Sequence, residues 1–162
     1  MALSEADIER YARQIIIPTI GASGQEKLLA GRVLLLGDEA GVRQARLYLE
    51  SSGVTATEEH DNAPFSCAIV AGWAGLSGTE RNGLLASGAA LVWYELGSHA
   101  IRAGVHTLER PAPPPAVPST GTASCENDEV LHEIAACDAA NAAIAIILGW
   151  PPGEPRWEVP LA

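Results

Sequence analysis

The stretch VLLLGDEAGVRQARLYLESSGV, Val33 to Val54, decides the architecture. Val33, Leu34, Leu35 and Leu36 form an uninterrupted apolar run that Gly37 stops, the pattern of a strand buried on both faces. Apolar positions then recur at Val42, Ala45 and Leu49, with Tyr48 on the same side, which is helical spacing over 42–52. A buried strand, a short loop and a helix form a β-loop-α unit. In such a unit the helix N-terminus turns its free N–H groups toward an anion, and glycines let a phosphate come close. Here the loop reads GDEAGV. Gly37 stands where the tight turn needs it, but Asp38 and Glu39 bring two carboxylates to the anion's place. Two like charges about 4 Å apart repel by about 1 kcal/mol at the dielectric of water, and by several at an effective dielectric near 20. The same pair suits the helix dipole, contributing about 0.3–1 kcal/mol each. The loop therefore reads as a phosphate site closed by its own acids.

Working outward, Ser4 and Asp7 have the spacing of a capping box and start a helix that runs to about Gln14, with Pro18 ending the segment. Residues 24–31 read as one or two helical turns, 53–59 and 67–74 as further strands, and 80–88 as a helix ended by glycine. Two more strands, AALVWYEL and HAIRAGVHTLE, join around Gly97 and Ser98. Residues 109–124 are rich in Pro, Ala, Ser and Thr and predict an extended connection. A long helix follows from Asn127 and Asp128 to Gly149; its Ala-rich second half has almost no polar face and must be buried against the sheet or another subunit. The segment PRWEVPL closes the chain as a short strand. The alternation predicts an α/β protein with a mostly parallel sheet flanked by helices.

Composition narrows the function. The chain has 162 residues, the size of one domain with a real core, and 48% of them are hydrophobic. With 20 acidic against 10 basic residues, a net charge of -10 and no basic cluster, a nucleic-acid partner is not expected. Three cysteines, Cys67, Cys125 and Cys137, form no C-x-x-C pair, which suits a reducing compartment. The opening MALSEADIERYARQ lacks the basic start and apolar core of a signal peptide, and the most apolar run, Ala139–Leu148, is about half the roughly 20 residues that span a bilayer. The expectation is a cytoplasmic protein without membrane contact.

Chemical motifs are few. Cys125, His132 and Cys137 are the closest grouping of metal-ligand types, but the C-x6-H-x4-C spacing matches no structural zinc pattern, and no metal is expected. Cys125 is the best nucleophile candidate because it precedes a helix start, whose dipole lowers a thiol pKa. Glu126, Asp128 and Glu129 act against it. Glu58 or Glu59, about 20 residues after the loop, could hold a ribose. Neither a G-x-S-x-G elbow nor an H-E-x-x-H motif is present.

The N-terminal residues carry a family pattern. ERYARQIIIPTIGASGQEKLLAGRVLLLG, followed by a helix ending YLESSGV, resembles the start of the ThiF/MoeB/HesA family, bacterial relatives of ubiquitin-activating enzymes. RNGLLASG, ALVWYELGSHAIRAGVHTL and CDAANAAIAIILG are similar to the family's later helix, paired strands and dimer-forming helix. The resemblance implies a Rossmann-like single domain, a shortened version of the ThiF/MoeB fold. Its parts would be an N-terminal helical arm (1–30), a core (31–108), the Pro-rich connection (109–124) and a C-terminal helix and strand (125–162). Family members adenylate the C-terminal glycine of a ubiquitin-like sulfur carrier with ATP and magnesium, and they work as dimers. Their loop reads G-x-G-G-x-G; here only Gly37 remains, with Glu39, Ala40 and Val42 at the other glycine positions. Leu76 replaces the magnesium aspartate, the zinc-binding C-x-x-C pairs are absent, and about eight residues span a connection roughly forty residues longer in the family. The second arginine of RYARQ, Arg13, corresponds to one that reaches into the partner subunit's ATP site.

Three functions follow as expectations. The first is a non-catalytic ThiF/MoeB-like subunit without a cofactor of its own, acting in dimerisation or regulation of a sulfur-carrier system and donating Arg13 in trans. It would form a homodimer, or a heterodimer with an active relative. The second is a minimal adenylyltransferase that uses ATP and magnesium on a ubiquitin-like or sulfur-carrier protein. The third is a small-molecule or dinucleotide-binding domain.

Overall fold

The computed structural model describes residues 2–59, 63–96, 100–107 and 128–151, together with the backbone of 156–160. In chain order the elements are α1 (Glu5–Ile15), α2 (Gly21–Ala30), β1 (Arg32–Gly37), α3 (Glu39–Ser51), β2 (Thr55–Thr57) and β3 (Cys67–Ala71). A 3-10 turn (Trp73–Gly75), α4 (Gly78–Ala86), β4 (Ala90–Leu96), β5 (Ala100–His106), α5 (Asp128–Leu148) and β6 (Arg156–Pro160) follow. The sheet runs β2-β1-β3-β4-β5-β6. β2, β1, β3 and β4 pair in parallel, and β5 and β6 add antiparallel strands to the β4 edge. The Rossmann-like, mostly parallel architecture expected from the sequence is thus the observed one.

Helices cover both faces, which is why the parallel strands read as unbroken apolar runs. On one face α3 supplies Val42, Ala45 and Leu49, and α5 supplies Ala136, Ala139, Ala140 and Ala143, against Val33, Leu35, Ile69 and Val92. On the other, Trp73, Leu76 and Leu84 close over Leu34, Val70, Leu91 and Trp93. The long apolar helix is therefore a core helix with small residues toward the sheet. Its apolar stretch, Val130–Leu148, meets the length and composition of a membrane span. That is longer than the Ala139–Leu148 run marked in the sequence, because Leu131, Ile134, Ala135 and Ala136 extend it.

The N-terminal arm is fastened by side chains of the two motifs that carry the family pattern. The carboxamide of Gln14 donates to the Ser51 carbonyl at 3.2 Å, and that of the fully buried Gln25 donates to the Ser52 carbonyl at 3.0 Å. Both thus satisfy carbonyls at the end of α3 that the helix leaves free. The Lys27 ammonium does the same for α5 through the Leu148 carbonyl at 3.2 Å. Ser4 and Asp7 form the expected capping box on α1. Their hydrogen bonds hold the Asp7 carboxyl below its usual range.

Several boundaries differ from expectation: β3 ends at Ala71 rather than 74, because a 3-10 turn at Trp73–Gly75 follows it, and α4 spans Gly78–Ala86 rather than 80–88, because Ser77 caps it. α2 begins at Gly21 rather than 24, because Gly21 at φ +59° turns the chain directly into the helix. α3 begins at Glu39 rather than 42, because the Asp38 side chain caps it. The strand expected over 53–59 shrinks to Thr55–Thr57. β1 offers it only Arg32, Val33 and Leu34 as partners, and Arg46 takes the Ala56 carbonyl at 2.9 Å while pairing with Glu58. A guanidinium on an edge carbonyl blunts further strand addition there. The Pro-rich connection and Cys125 lie outside the described residues.

Candidate functional site

The crevice lies where a ligand is expected in this architecture, at the carboxyl ends of β1 and β3, where the chain switches from one side of β1 to the other. Gly37, Ala71 and Tyr94 stand in one row across β1, β3 and β4. Gly37 holds φ +108°, and a methyl group there would overlap the Ala71 carbonyl oxygen. The Asp38 N–H donates to that carbonyl at 2.8 Å, which fixes the loop.

At this point the loop turns inward on itself. The Asp38 carboxylate, φ -64° and extended, accepts the N–H groups of Ala40 at 3.0 Å and Gly41 at 3.4 Å. Those are the donors that a bound phosphate would use. From below, the Tyr94 hydroxyl meets Gly41 so closely that a methyl group at Gly41 would overlap it. From α5, His132 packs edge-on to the Tyr94 ring at 5.9 Å between centroids. Its Nδ1 lies 3.4 Å from the Tyr94 oxygen and its Nε2 lies 3.7 Å from Asp38 Oδ1. Asp38, Gly41, Tyr94 and His132 thus tie β1, α3, β4 and α5 together where the nucleotide of a Rossmann-like fold sits. Burial, and secondarily the Asp38 charge, push the Tyr94 phenol well above its usual range, so it stays neutral.

Glu95 borders the same crevice and accepts the Ala74 N–H at 2.7 Å. Burial raises its pKa, partly offset by that hydrogen bond and by His132. A carboxyl whose folded pKa is raised stabilises the fold below its unfolded pKa and loses that contribution as pH rises through the folded value. Glu95→Gln keeps an oxygen for Ala74 and removes the charge. It is expected to raise the melting temperature slightly at neutral pH and leave it unchanged near pH 3. Thermal melts across that range measure this, and an unchanged melt at neutral pH would argue against a buried charge at this position.

The other sequence candidates lie elsewhere. Arg13 is exposed on α1 and has no ion-pair partner among the described residues, Glu9 included. Leu76 is buried with Trp73, Leu84 and Trp93, so the place where the resemblance implies a magnesium carboxylate is core. Glu58 is held by Arg46 rather than turned to the crevice loop. Cys67 is fully buried and its thiol is pushed up to about 12, while Cys137 is half-buried on α5. Among the described residues no group of three or more His, Cys, Asp or Glu side chains is placed to hold a metal ion. Tyr94 and Glu95 are site residues that sequence reading missed, and His132, weighed there only as a metal ligand beside Cys125 and Cys137, lies instead against Tyr94 and Asp38. Tyr94 is hidden in an apolar strand run, and His132 is 94 positions from Asp38, beyond any local pattern. As arranged, the loop does not fit a nucleotide phosphate: the two N–H donors of Ala40 and Gly41 are engaged by the Asp38 carboxylate.

Comparisons with known proteins agree with this architecture. No family model matches the chain. A stretch of 53 residues, 33% of the chain, is 42% identical to a probable molybdopterin-synthase adenylyltransferase of Gracilaria tenuistipitata var. liui, covering 15% of it. A stretch of the same length is 42% identical to the probable adenylyltransferase/sulfurtransferase MoeZ of Mycobacterium tuberculosis, covering 14% of that protein. For the adenylyltransferase and sulfurtransferase uba4 of Aspergillus fumigatus the figures are 48% over 52 residues and 10%. The match thus spans no more than 15% of the length of these relatives. Among solved structures, PaaA superposes with a TM-score of 0.65 at 12% identity, over 99% of this chain and 72% of its own. A heterocyclase solved with its substrate and cofactor gives 0.52 at 14%, over 94% and 24%. Both likenesses show the fold. Through the matched third of its length the chain is similar to ThiF/MoeB-type adenylyltransferases, and a Rossmann-like fold extends over nearly all of it.

Proposed function

We propose that this protein is a non-catalytic ThiF/MoeB-like subunit that acts by association in a ubiquitin-like or sulfur-carrier activation system of the cytoplasm. The observation that carries this reading is the engaged loop, in which Asp38 takes the N–H groups of Ala40 and Gly41 and Tyr94 fills the space beneath. Support for an associating role comes from the arm, where Arg13, exposed and without an ion pair among the described residues, lies on the same helix as the exposed Ile8, close to the exposed Ile16 and Ile17. In this reading Arg13 is offered to the site of a partner, a second copy or an active relative. The protein needs neither ATP nor metal. Thermal melting with and without Mg-ATP tests it: no shift at millimolar nucleotide is expected, and a shift of several degrees would end the non-catalytic reading.

A second reading rests on the relatives. The matched proteins named above are called adenylyltransferases, which favours a minimal ATP- and magnesium-dependent enzyme acting on a carrier protein. It requires Asp38 to swing away from α3, and it predicts carrier-dependent exchange of pyrophosphate into ATP.

A further inference from the structure

His132 stands on α5 with its side chain 15% exposed, between groups that reach it from two other elements. From the loop before α3, Asp38 Oδ1 lies 3.7 Å from its Nε2. From β4, the Tyr94 oxygen lies 3.4 Å from its Nδ1, and Glu95 is near enough for its charge and that of the imidazole to act on each other. Arg102 stands opposite Glu95 in the register of β4 with β5, and α3 carries Glu39 in its first turn and Arg43 one turn later. On α5 itself Asp128 and Glu129 come about one turn before His132, and Glu133 follows it. The Tyr94 phenol keeps its proton, because burial and then the Asp38 charge raise its pKa. Tyr94 is therefore the donor to a neutral imidazole, whose own proton then sits on Nε2, toward Asp38.

We infer that His132 is a proton-sensitive clasp on the closed loop: the carboxylate that it meets from α5 is the one that occupies the N–H groups of Ala40 and Gly41, and a charged imidazole holds that carboxylate more firmly than a neutral one. The inference rests on the closed-loop reading proposed above and names what regulates that loop. Histidine changes charge between about pH 5 and 8. Taking up a proton turns the contact of Nε2–H with Asp38 into an ion pair, and Nδ1 becomes a donor to the Tyr94 oxygen. Losing the proton returns Nδ1 to accepting from Tyr94 and leaves a neutral group beside the carboxylate. The Asp38 side chain is 48% exposed, so the gain has the modest size of an exposed pair. The clasp adjusts how readily Asp38 leaves α3 without locking it there. Whatever opens the loop must draw Asp38 away from His132 as well as from α3, and that is easier at the alkaline end of this range than at the acid end.

Asp38→Asn keeps a helix cap of nearly equal quality while removing the charge, and His132→Gln removes the titrating ring. A double-mutant cycle of the two, read as the melting temperature of the whole chain at pH 5.5 and at pH 8.5, isolates the pair. A non-additive part of about 2 °C or more is expected at pH 5.5, with less than half of it left at pH 8.5. Additive changes at pH 5.5, or the same non-additivity at both values, overturn the inference. If a variant does not fold, the wild type labelled with nitrogen-15 decides: long-range proton–nitrogen correlations of the His132 ring at pH 8.5 should place the proton on Nε2, and a proton on Nδ1 overturns the clasp. Neither measurement involves nucleotide. A melting shift with Mg-ATP would end the non-catalytic reading and leave a pH-dependent pair standing, whereas an additive cycle removes the clasp and leaves that reading untouched.

Discussion

Gly41→Ala is expected to lower stability by about 3 kcal/mol, the cost of overpacking a filled interior, and so to lower the melting temperature of a domain this size by roughly 6–12 °C. The sign is not obvious beforehand. Gly41 lies inside α3, where alanine would ordinarily favour the helix by up to about 1 kcal/mol. Space reverses it: the added methyl overlaps the Tyr94 hydroxyl and comes within 2.9 Å of Ala71 Cβ and 3.0 Å of Tyr94 Cζ. Tyr94 is fully buried and has no room to withdraw. Removing the hydroxyl should therefore rescue the variant, with Gly41→Ala/Tyr94→Phe recovering at least half of the loss. Gly37→Ala is the control. It meets the backbone carbonyl of Ala71 and a φ of +108°, and Tyr94→Phe should not help it. Denaturant unfolding of the four proteins and the double variants measures the coupling. If Tyr94→Phe leaves the Gly41→Ala loss unchanged, the hydroxyl is not what fills the crevice.

The same contacts explain how far the sequence could be read. β1, β3 and β4 were legible because burial on both faces demands apolar runs, as in RVLLLG and CAIVA, and α3 because Val42, Ala45 and Leu49 keep one face to the sheet. The closing of the loop was legible too, since an aspartate directly before a helix has few better uses than capping it. The filling of the crevice was not. It depends on Tyr94 and His132 reaching Asp38 from β4 and α5, and nothing local to LVWYEL or to EVLHEI distinguishes a hydroxyl aimed at Gly41 from one aimed elsewhere. The motif residues Gln14 and Gln25 carried the family resemblance in the sequence, yet their role here is mechanical, holding the end of α3. Arg13, in the same motif, is exposed and has no ion pair among the described residues.

Asp38→Gly/Glu39→Gly is expected to raise affinity for inorganic pyrophosphate by roughly ten- to a hundredfold over a wild type that binds it negligibly. Each carboxylate near a bound anion costs about 1 kcal/mol even at the dielectric of water, and a factor of ten in affinity corresponds to about 1.4 kcal/mol. The substitution also frees the Ala40 and Gly41 N–H groups and leaves His132, now without its acidic neighbour, facing the anion. The fold should survive, because glycine replaces aspartate at an N-cap for a few tenths of a kcal/mol. Tyr94 still meets Gly41 in this variant, so binding should return without adenylation. Calorimetry with pyrophosphate at two salt concentrations separates the cases. A gain that fades at high salt supports a site closed by charge. A wild type that binds as tightly as the double variant means that Asp38 moves aside when an anion arrives, and the adenylyltransferase reading then becomes the better account of this chain.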